Sequence, residues 1–453
     1  MTIIDGLLIF FSIILAYYIL VKILNKKGVF EKYNITLWGP ALLVRTKKGR
    51  GFLKKIASKK RFWKAYGSFG IAFSLIAMIF LVSVFVLQFG LLFGLSPEQK
   101  AGLPGPEAAL ILPGINPILP LEYVGYVILA LAIAIIVHEF SHGILTFAGN
   151  LKVKSLGILY LIIPVGAFCE PDEEELKKTE TGKRMRVFAA GPLANFTTAF
   201  IVLLLFSFVF MSAVQPIDGA EVLYSYEDTP AEEIGLSSGM LIISFNDTII
   251  TNATDFSYAI DDTLPDQTVN FTYLFKGKTY NKQVNLTSIY MFTNNESHKN
   301  LSFLGVRFNN IRGDYLSSLK NPFTHEFPSG FLNLYAMPIM GYIIGYNPIA
   351  SPFIENYEIT GPLGALPTGL FWAIVTALYW IFWLNLAVGL FNVLPMVPLD
   401  GGYIFNDALG SFIKKIFKDI SDQKREKIVK NISLVLSLIV LFLVLFPFFF
   451  KYI

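Results

Sequence analysis

Long apolar runs and short basic stretches alternate along the chain. Apolar segments long enough to cross a bilayer fall at about 3–24, 68–94, 122–148, 187–211, 367–393 and 431–450, and each predicts a transmembrane helix. Between the fourth and fifth the pattern changes. Residues 213–312 show short alternating runs ("LIISFN", "TVNFTYLF", "KQVNLTS", "FLGVRF") and one helix pattern at "ATDFSYAIDD", which predicts a small α+β domain. The apolar stretch 330–354 is broken by Pro338, Pro348 and Pro352 and reads as an interfacial or re-entrant piece on the outer side. The run "SLGILYLIIPVGAF", 155–168, has Gly157 near its start and is interrupted by Pro164, so it is too short and broken for a span.

Composition agrees with this reading. Hydrophobic residues make up 54% of the 453 and charged residues only 15%, which predicts a multi-span membrane protein. The net charge of +4 matters less than its placement, and a lipid bilayer rather than nucleic acid is the expected surroundings. Residues 25–67 hold thirteen Lys/Arg against one acid, Glu31, so this loop is expected in the cytoplasm. Alternation then sets 149–186 and 394–430 inside, and 95–121, 212–366 and both termini outside. The two later inside loops carry seven Lys/Arg each, which supports that assignment independently. Glycosylation sequons at Asn246, Asn252, Asn270, Asn285, Asn295 and Asn300 all fall in the outer domain. Cys169 is the single cysteine, so no intrachain disulfide framework exists. The N-terminal segment lacks a basic leader and a small-residue cleavage site, and is expected to stay as the first span.

The candidate chemistry lies in "HEFSH", residues 138–142, inside the third span. Two histidines and a glutamate in hydrocarbon cost several kcal/mol unless they act together. On a helix His138 and His142 sit one turn apart on one face, within reach of a single Zn²⁺, and Glu139 can then take a proton from a water at the metal. A catalytic zinc usually has three protein ligands. His298 and His325 lie outside by the charge pattern, whereas His138 is roughly 15 Å from the inner end of its helix. The third ligand is therefore expected from the inner half. Asp400, in "LFNVLPMVPLDGGYIF", is the leading candidate, because Pro395, Pro398, Gly401 and Gly402 argue for an irregular segment lining a cavity. Cys169 is a weaker one.

At this point the motifs resemble a family. "HEFSH", "NVLPMVPLDGG", "AAGPLANF" with Gly191 and Asn195, "PGINPIL" and "GAFCEPDEEE" occur in the order found in site-2 proteases, over about 110–412. These are zinc intramembrane metalloproteases that cut transmembrane segments of other proteins, and the likeness is to their archaeal and eukaryotic branch. The stretch "TPAEEIGLSSGMLIISFNDTII" likewise resembles the helix–turn–strand part of a PDZ domain, with Gly235 and Gly239 at positions suited to positive φ. The resemblance implies one Zn²⁺ held by His138, His142 and Asp400, with Glu139 as general base. It implies that Asn392 and Asn195 steady substrate backbone or the transition state. Ser141 stands where the family more often has glycine.

The expected architecture is a polytopic α-helical membrane protein of about six spans. It carries an extracytoplasmic PDZ domain at 212–312, an outer segment at 313–366, and a membrane-dipping β-hairpin at about 151–170. By the resemblance the hairpin's edge pairs with substrate, and Ile158, Leu159, Tyr160, Leu161, Ile162 and Ile163 are the expected edge residues. Substrates would be transmembrane proteins already trimmed by another protease, and the PDZ domain would either recruit their tails or obstruct bulky ones. Two other readings stay open: a peptidase whose site faces the cytosol with Glu170 or one of Glu173–Glu175 as third ligand, and a PDZ scaffold with a structural metal. An ion transporter explains neither Glu139 nor the inserted domain.

Overall fold

The computed structural model describes residues 3–30, 35–39, 41–109, 114–161, 163–324 and 327–452. Ile162 and His325 therefore lie outside the described residues. The chain opens with α1 (Ile3–Lys26), strands β1 (Ile35–Trp38) and β2 (Ala41–Thr46), and helices α2 (Arg50–Ile56), α3 (Lys60–Leu92) and α4 (Pro97–Ala101). The helix α5 (Val124–Ala148) carries the two histidines. Strands β3 (Val153–Leu161) and β4 (Ile163–Pro171) and a short α6 (Glu173–Lys178) lead into α7 (Thr181–Leu204). A strand-rich stretch follows: β5 (Val214–Pro216), β6 (Ala220–Ser225), α8 (Pro230–Glu233), β7 (Leu241–Phe245), β8 (Thr248–Ile249) and α9 (Ala253–Asp261). It continues through β9 (Thr268–Phe275), β10 (Lys278–Asn285), β11 (Thr287–Ser288), α10 (Tyr290–Thr293), β12 (Ser302–Phe303) and β13 (Val306–Phe308). The chain closes with α11 (Arg312–Lys320), α12 (Ser329–Ile344), β14 (Tyr357–Ile359), α13 (Thr368–Asn392), α14 (Asp400–Ile416) and α15 (Asp422–Phe450).

Among the described residues five helical stretches are long and apolar enough to cross a membrane: Lys60–Leu92, Leu121–Ala148, Thr181–Ala213, Thr368–Asn392 and Asp422–Phe450. At most 44% of any of their apolar windows is buried within the chain, so most of that surface is left for lipid. The expected first span coincides with α1, a 24-residue helix outside that set. Several of these helices start earlier than the apolar runs did. Lysine and arginine propagate a helix well, so the basic flanks stay helical after the hydrocarbon-length part has ended.

Two compact units divide the chain. The first comprises Met1–Ala109, Val124–Ile201 and Trp380–Ile453. Within it α5 ends in a defined way: Asn150 takes φ 62°, and Leu151 N–H bonds Thr146 O (2.9 Å) while Asn150 N–H bonds Phe147 O (3.0 Å). This left-handed stop turns the chain straight into β3. The strand β3 pairs with β4 on one side and β2 on the other, giving a four-stranded sheet in the order β1-β2-β3-β4. The hairpin is present as β3–β4, but the expected edge at 158–163 is corrected for the part on β3, which has a strand on each side. Ile158 faces Ala167 on one side and Val44 on the other, and Leu159 faces Gly166 and Leu43. Residues 158–160 are thus interior to the sheet, and the edges are β1 and β4.

The second unit comprises Leu110–Tyr123 and Val202–Tyr379. Its main sheet runs β10-β9-β7-β6-β13, with β8 on β7. Phe245, Phe256 and Phe271 are nearly fully buried in its core, each contributing about 1.5–3 kcal/mol by removal from water. Gly235 and Gly239 take φ of 76° and 81°, as the turn pattern required. The expected boundary at 312/313 is crossed by a buried polar cluster. The Asn309 amide donates to Glu221 Oε2 (2.6 Å), that of Asn356 to Glu221 Oε1 (2.7 Å), and Arg312 donates to the carbonyls of Ile217 and Asn356. Asn356, in the expected outer segment, is thus hydrogen-bonded to Glu221 of β6. The broken apolar stretch at 330–354 contains α12, a 16-residue helix with Pro338 inside, about 24 Å long and short of the other five.

Candidate metal centre

All the atoms of the centre come from the first unit. His138 and His142 are buried on one face of α5, and Asp400 is the first residue of α14. Asp400 Oδ2 lies 3.1 Å from His138 Nε2 and 3.3 Å from His142 Nε2. One ligand atom from each residue lies within 4.8 Å of the others.

The first turn of α14 is held against the loop before it by a close backbone approach. A side chain at Gly402 would lie 2.6 Å from Met396 C and Val397 N, and one at Gly401 would overlap the Val393 carbonyl. Val393 and Leu394 are themselves fully buried. Two glycines after Asp400 thus allow the loop to fold over the helix start, where the helix dipole also favours the carboxylate.

Hydrogen bonding at the other ring nitrogens fixes what the histidines present. His142 Nδ1 donates to the Val187 carbonyl at 2.7 Å, an oxygen that can only accept. His138 Nδ1 is 2.6 Å from Asn195 Oδ1. The Asn195 amide nitrogen donates to Ala134 O (2.9 Å) and Asn385 Oδ1 (3.1 Å), so its oxygen is the atom left to accept from His138. Both imidazoles therefore carry their proton on Nδ1 and aim an Nε2 lone pair inwards. Asp400 Oδ2 is buried beside them without a hydrogen-bond partner. Three lone-pair donors facing one another repel unless a cation lies between them, and about 3.3 Å is the spacing of ligand atoms around a tetrahedral zinc with bonds near 2.0–2.1 Å. The donor set fits zinc.

Glu139 is half-buried beside His138, and its Oε2 accepts the Cys169 N–H of β4 at 2.7 Å. It shares a cavity of about 720 Å³ with His142, Asp400, Phe168 and Tyr403. The stacked rings of Phe188 and Tyr403, 4.8 Å apart, form an apolar part of the wall.

Asn195 has a different employment from the expected one. Its two N–H groups are both committed, which leaves no donor for a substrate oxyanion; it orients His138 instead. Asn392 turns back on its own helix, donating to Val388 O at 3.0 Å. Val187 and Asn385 were not singled out from the sequence. An amide at 385 in the middle of an apolar span was the available signal.

A family model, Peptidase family M50, matches residues 126–440, which include all three ligand candidates. An uncharacterized protein of Methanocaldococcus jannaschii is 26% identical over 421 residues, covering 91% of this chain and 87% of that protein. Among solved structures, the PDZ domain of the SdrC-like protein of Listeria monocytogenes matches 21% of this chain and 90% of its own, at 19% identity and a TM-score of 0.18. The second domain of a Listeria protein matches 21% and 88%, at 24% identity and a TM-score of 0.18. With the model spanning well over half its length, the chain belongs to Peptidase family M50 and is an integral membrane metalloprotease.

Proposed function

We propose that the chain is a zinc-dependent endopeptidase cutting peptide bonds in or beside transmembrane segments of other proteins. The observation that carries this is the buried convergence of two imidazole Nε2 atoms on α5, a helix of membrane-crossing length, with one carboxylate oxygen at the start of α14. Bound there, zinc supplies Lewis acidity toward a water and toward a peptide carbonyl. The chain's own residues do the rest. Asn195 and the Val187 carbonyl hold both rings in the ligating tautomer. Glu139 takes a proton from the attacking water and returns it to the leaving amine, while its Oε2 stays anchored on β4.

The direct test is zinc content of the purified protein. Asp400→Ala should lose the metal or bind it at least about 10–100-fold more weakly. Wild-type zinc content in that variant would place the third ligand elsewhere, at Glu170 or in Glu173–Glu175.

A peptide bond in a helix must be unwound before it can be cut, and a free sheet edge can hold the unwound strand extended. The strand β4 supplies that edge. Cys169 N–H points away from β3, toward Glu139, so by the two-residue period Ala167 N–H also points outwards. Ala167→Pro removes that donor without touching the β3–β4 ladder, and cleavage should fall by about tenfold. Undiminished cleavage would rule out pairing at this edge.

The strand-rich domain has its own groove of about 570 Å³ between α9 and β13, where Arg307 is a basic residue. We assign it, as a PDZ module, the free tail of a pre-trimmed substrate. Arg307→Glu should weaken binding of a peptide with a free C-terminal carboxylate by about tenfold, and unchanged binding would remove this role.

A further inference from the structure

A second cavity in the first unit measures about 770 Å³ and lies between α7, the loop before α14, α14 itself and the first half of α15. Four cations line it, Arg184, Lys414, Arg425 and Lys430, against two acids, Asp407 and Glu426. Arg184 is held by Asp407 through two bonds of 2.8 and 2.5 Å. Arg425 reaches Asp422, which is not part of the lining, at 2.9 Å. Lys414 and Lys430 are exposed and make no ion pair among the described residues. Glu426 likewise makes no ion pair among the described residues, so the unpaired groups of the lining are two cations against one acid, and Ser411 and Ser437 add hydroxyls to the same lining.

Its position on α15 narrows the class of anion. The lining runs from Arg425 to Ser437, about 18 Å along the helix. That length crosses from the charged start of α15 into its apolar part, where Leu434 is 60% exposed. Cations toward the start of α15, with Val429 and the exposed Leu434 and Val397 in the same lining, match an amphiphile with an anionic head. A soluble phosphate ester would leave Val397, Val429 and Leu434 without an apolar partner.

We propose that this cavity binds the phosphate-bearing headgroup of an anionic membrane lipid. The site is separate from the metal ligands yet adjoins them, since Arg184, Asn406 and Asp407 line both cavities. A bound headgroup sits one ion pair away from the catalytic space.

Native mass spectrometry of the full-length protein in detergent tests this, with phosphatidylglycerol as the probe and phosphatidylcholine as the zwitterionic comparison. One phosphatidylglycerol should remain bound per chain, with phosphatidylcholine retained more weakly. Lys414→Gln combined with Lys430→Gln should weaken phosphatidylglycerol binding by about thirty-fold, with zinc content and thermal unfolding unchanged. Equal retention by wild type and the double variant overturns the proposal, and so does equal retention of the two lipids. Displacement by a millimolar excess of inorganic phosphate would assign the site to a soluble phosphate and overturn its lipid occupant.

Discussion

Glu139→Gln is expected to lower cleavage of a transmembrane substrate by about 10²–10⁴-fold while zinc content stays at the wild-type level. The two readouts separate because Glu139 is beside the ligand pair rather than part of it. Its Oε2 holds the Cys169 N–H, and a glutamine of the same length keeps an oxygen for that bond, so β4 remains seated. What disappears is the charge and the proton affinity. A cleavage assay run beside metal analysis on the same preparation checks this. Zinc lost together with activity would make Glu139 a ligand rather than the proton carrier.

Gly191→Val should remove the metal more completely than loss of any hydrogen-bond partner. A Cβ at 191 would lie 2.5 Å from His142 Nε2 and 2.6 Å from His138 Nε2, in the space the ligand atoms face. The helix α7 cannot move aside, because its Val187 carbonyl and Asn195 side chain hold the two rings. Zinc affinity should fall by more than about 100-fold, beyond the 10–100-fold usual for a lost orienting partner. Gly191→Ala should fall between. Helix propensity points the other way, since glycine to alanine in a helix normally stabilises by about 0.5–1 kcal/mol. Competition with a chromogenic chelator gives the affinities. Wild-type affinity in Gly191→Val would mean that α7 does not approach the ligands this closely.

The parts of the site legible in the sequence are those set by local period or by rarity. His138 and His142 share a face because a helix repeats every 3.6 residues, and Asp400 stands out as an acid followed by two glycines after a span. What escaped the sequence depends on pairing between distant segments. The stretch "ITLWGPALLVRT" at 35–46 has two β-rich runs around a Gly-Pro pair, inside a loop whose strongest local signal is its excess of Lys and Arg. Its pairing with β3 converts the expected edge into an interior strand, and no local pattern announces that register. The role of Asn195 was equally hidden. Only the joint positions of Ala134, Asn385 and His138 show which end of its amide faces the ring.

The order in which the centre's parts leave the ribosome has a consequence for the cell. His138 and Asp400 are 262 residues apart in the chain, from 138 to 400. At about 5–20 residues per second, Asp400 is made roughly 13–52 s after His138. The ring partners on α7 come much sooner, 45 residues after His142 and 57 after His138. A growing chain therefore holds both histidines and their α7 partners well before Asp400 exists, although Asn385, which also holds the Asn195 amide, is made only 15 residues before Asp400. A chain made only that far lacks the carboxylate of the three-residue centre, which is complete only once the start of α14 has been synthesised.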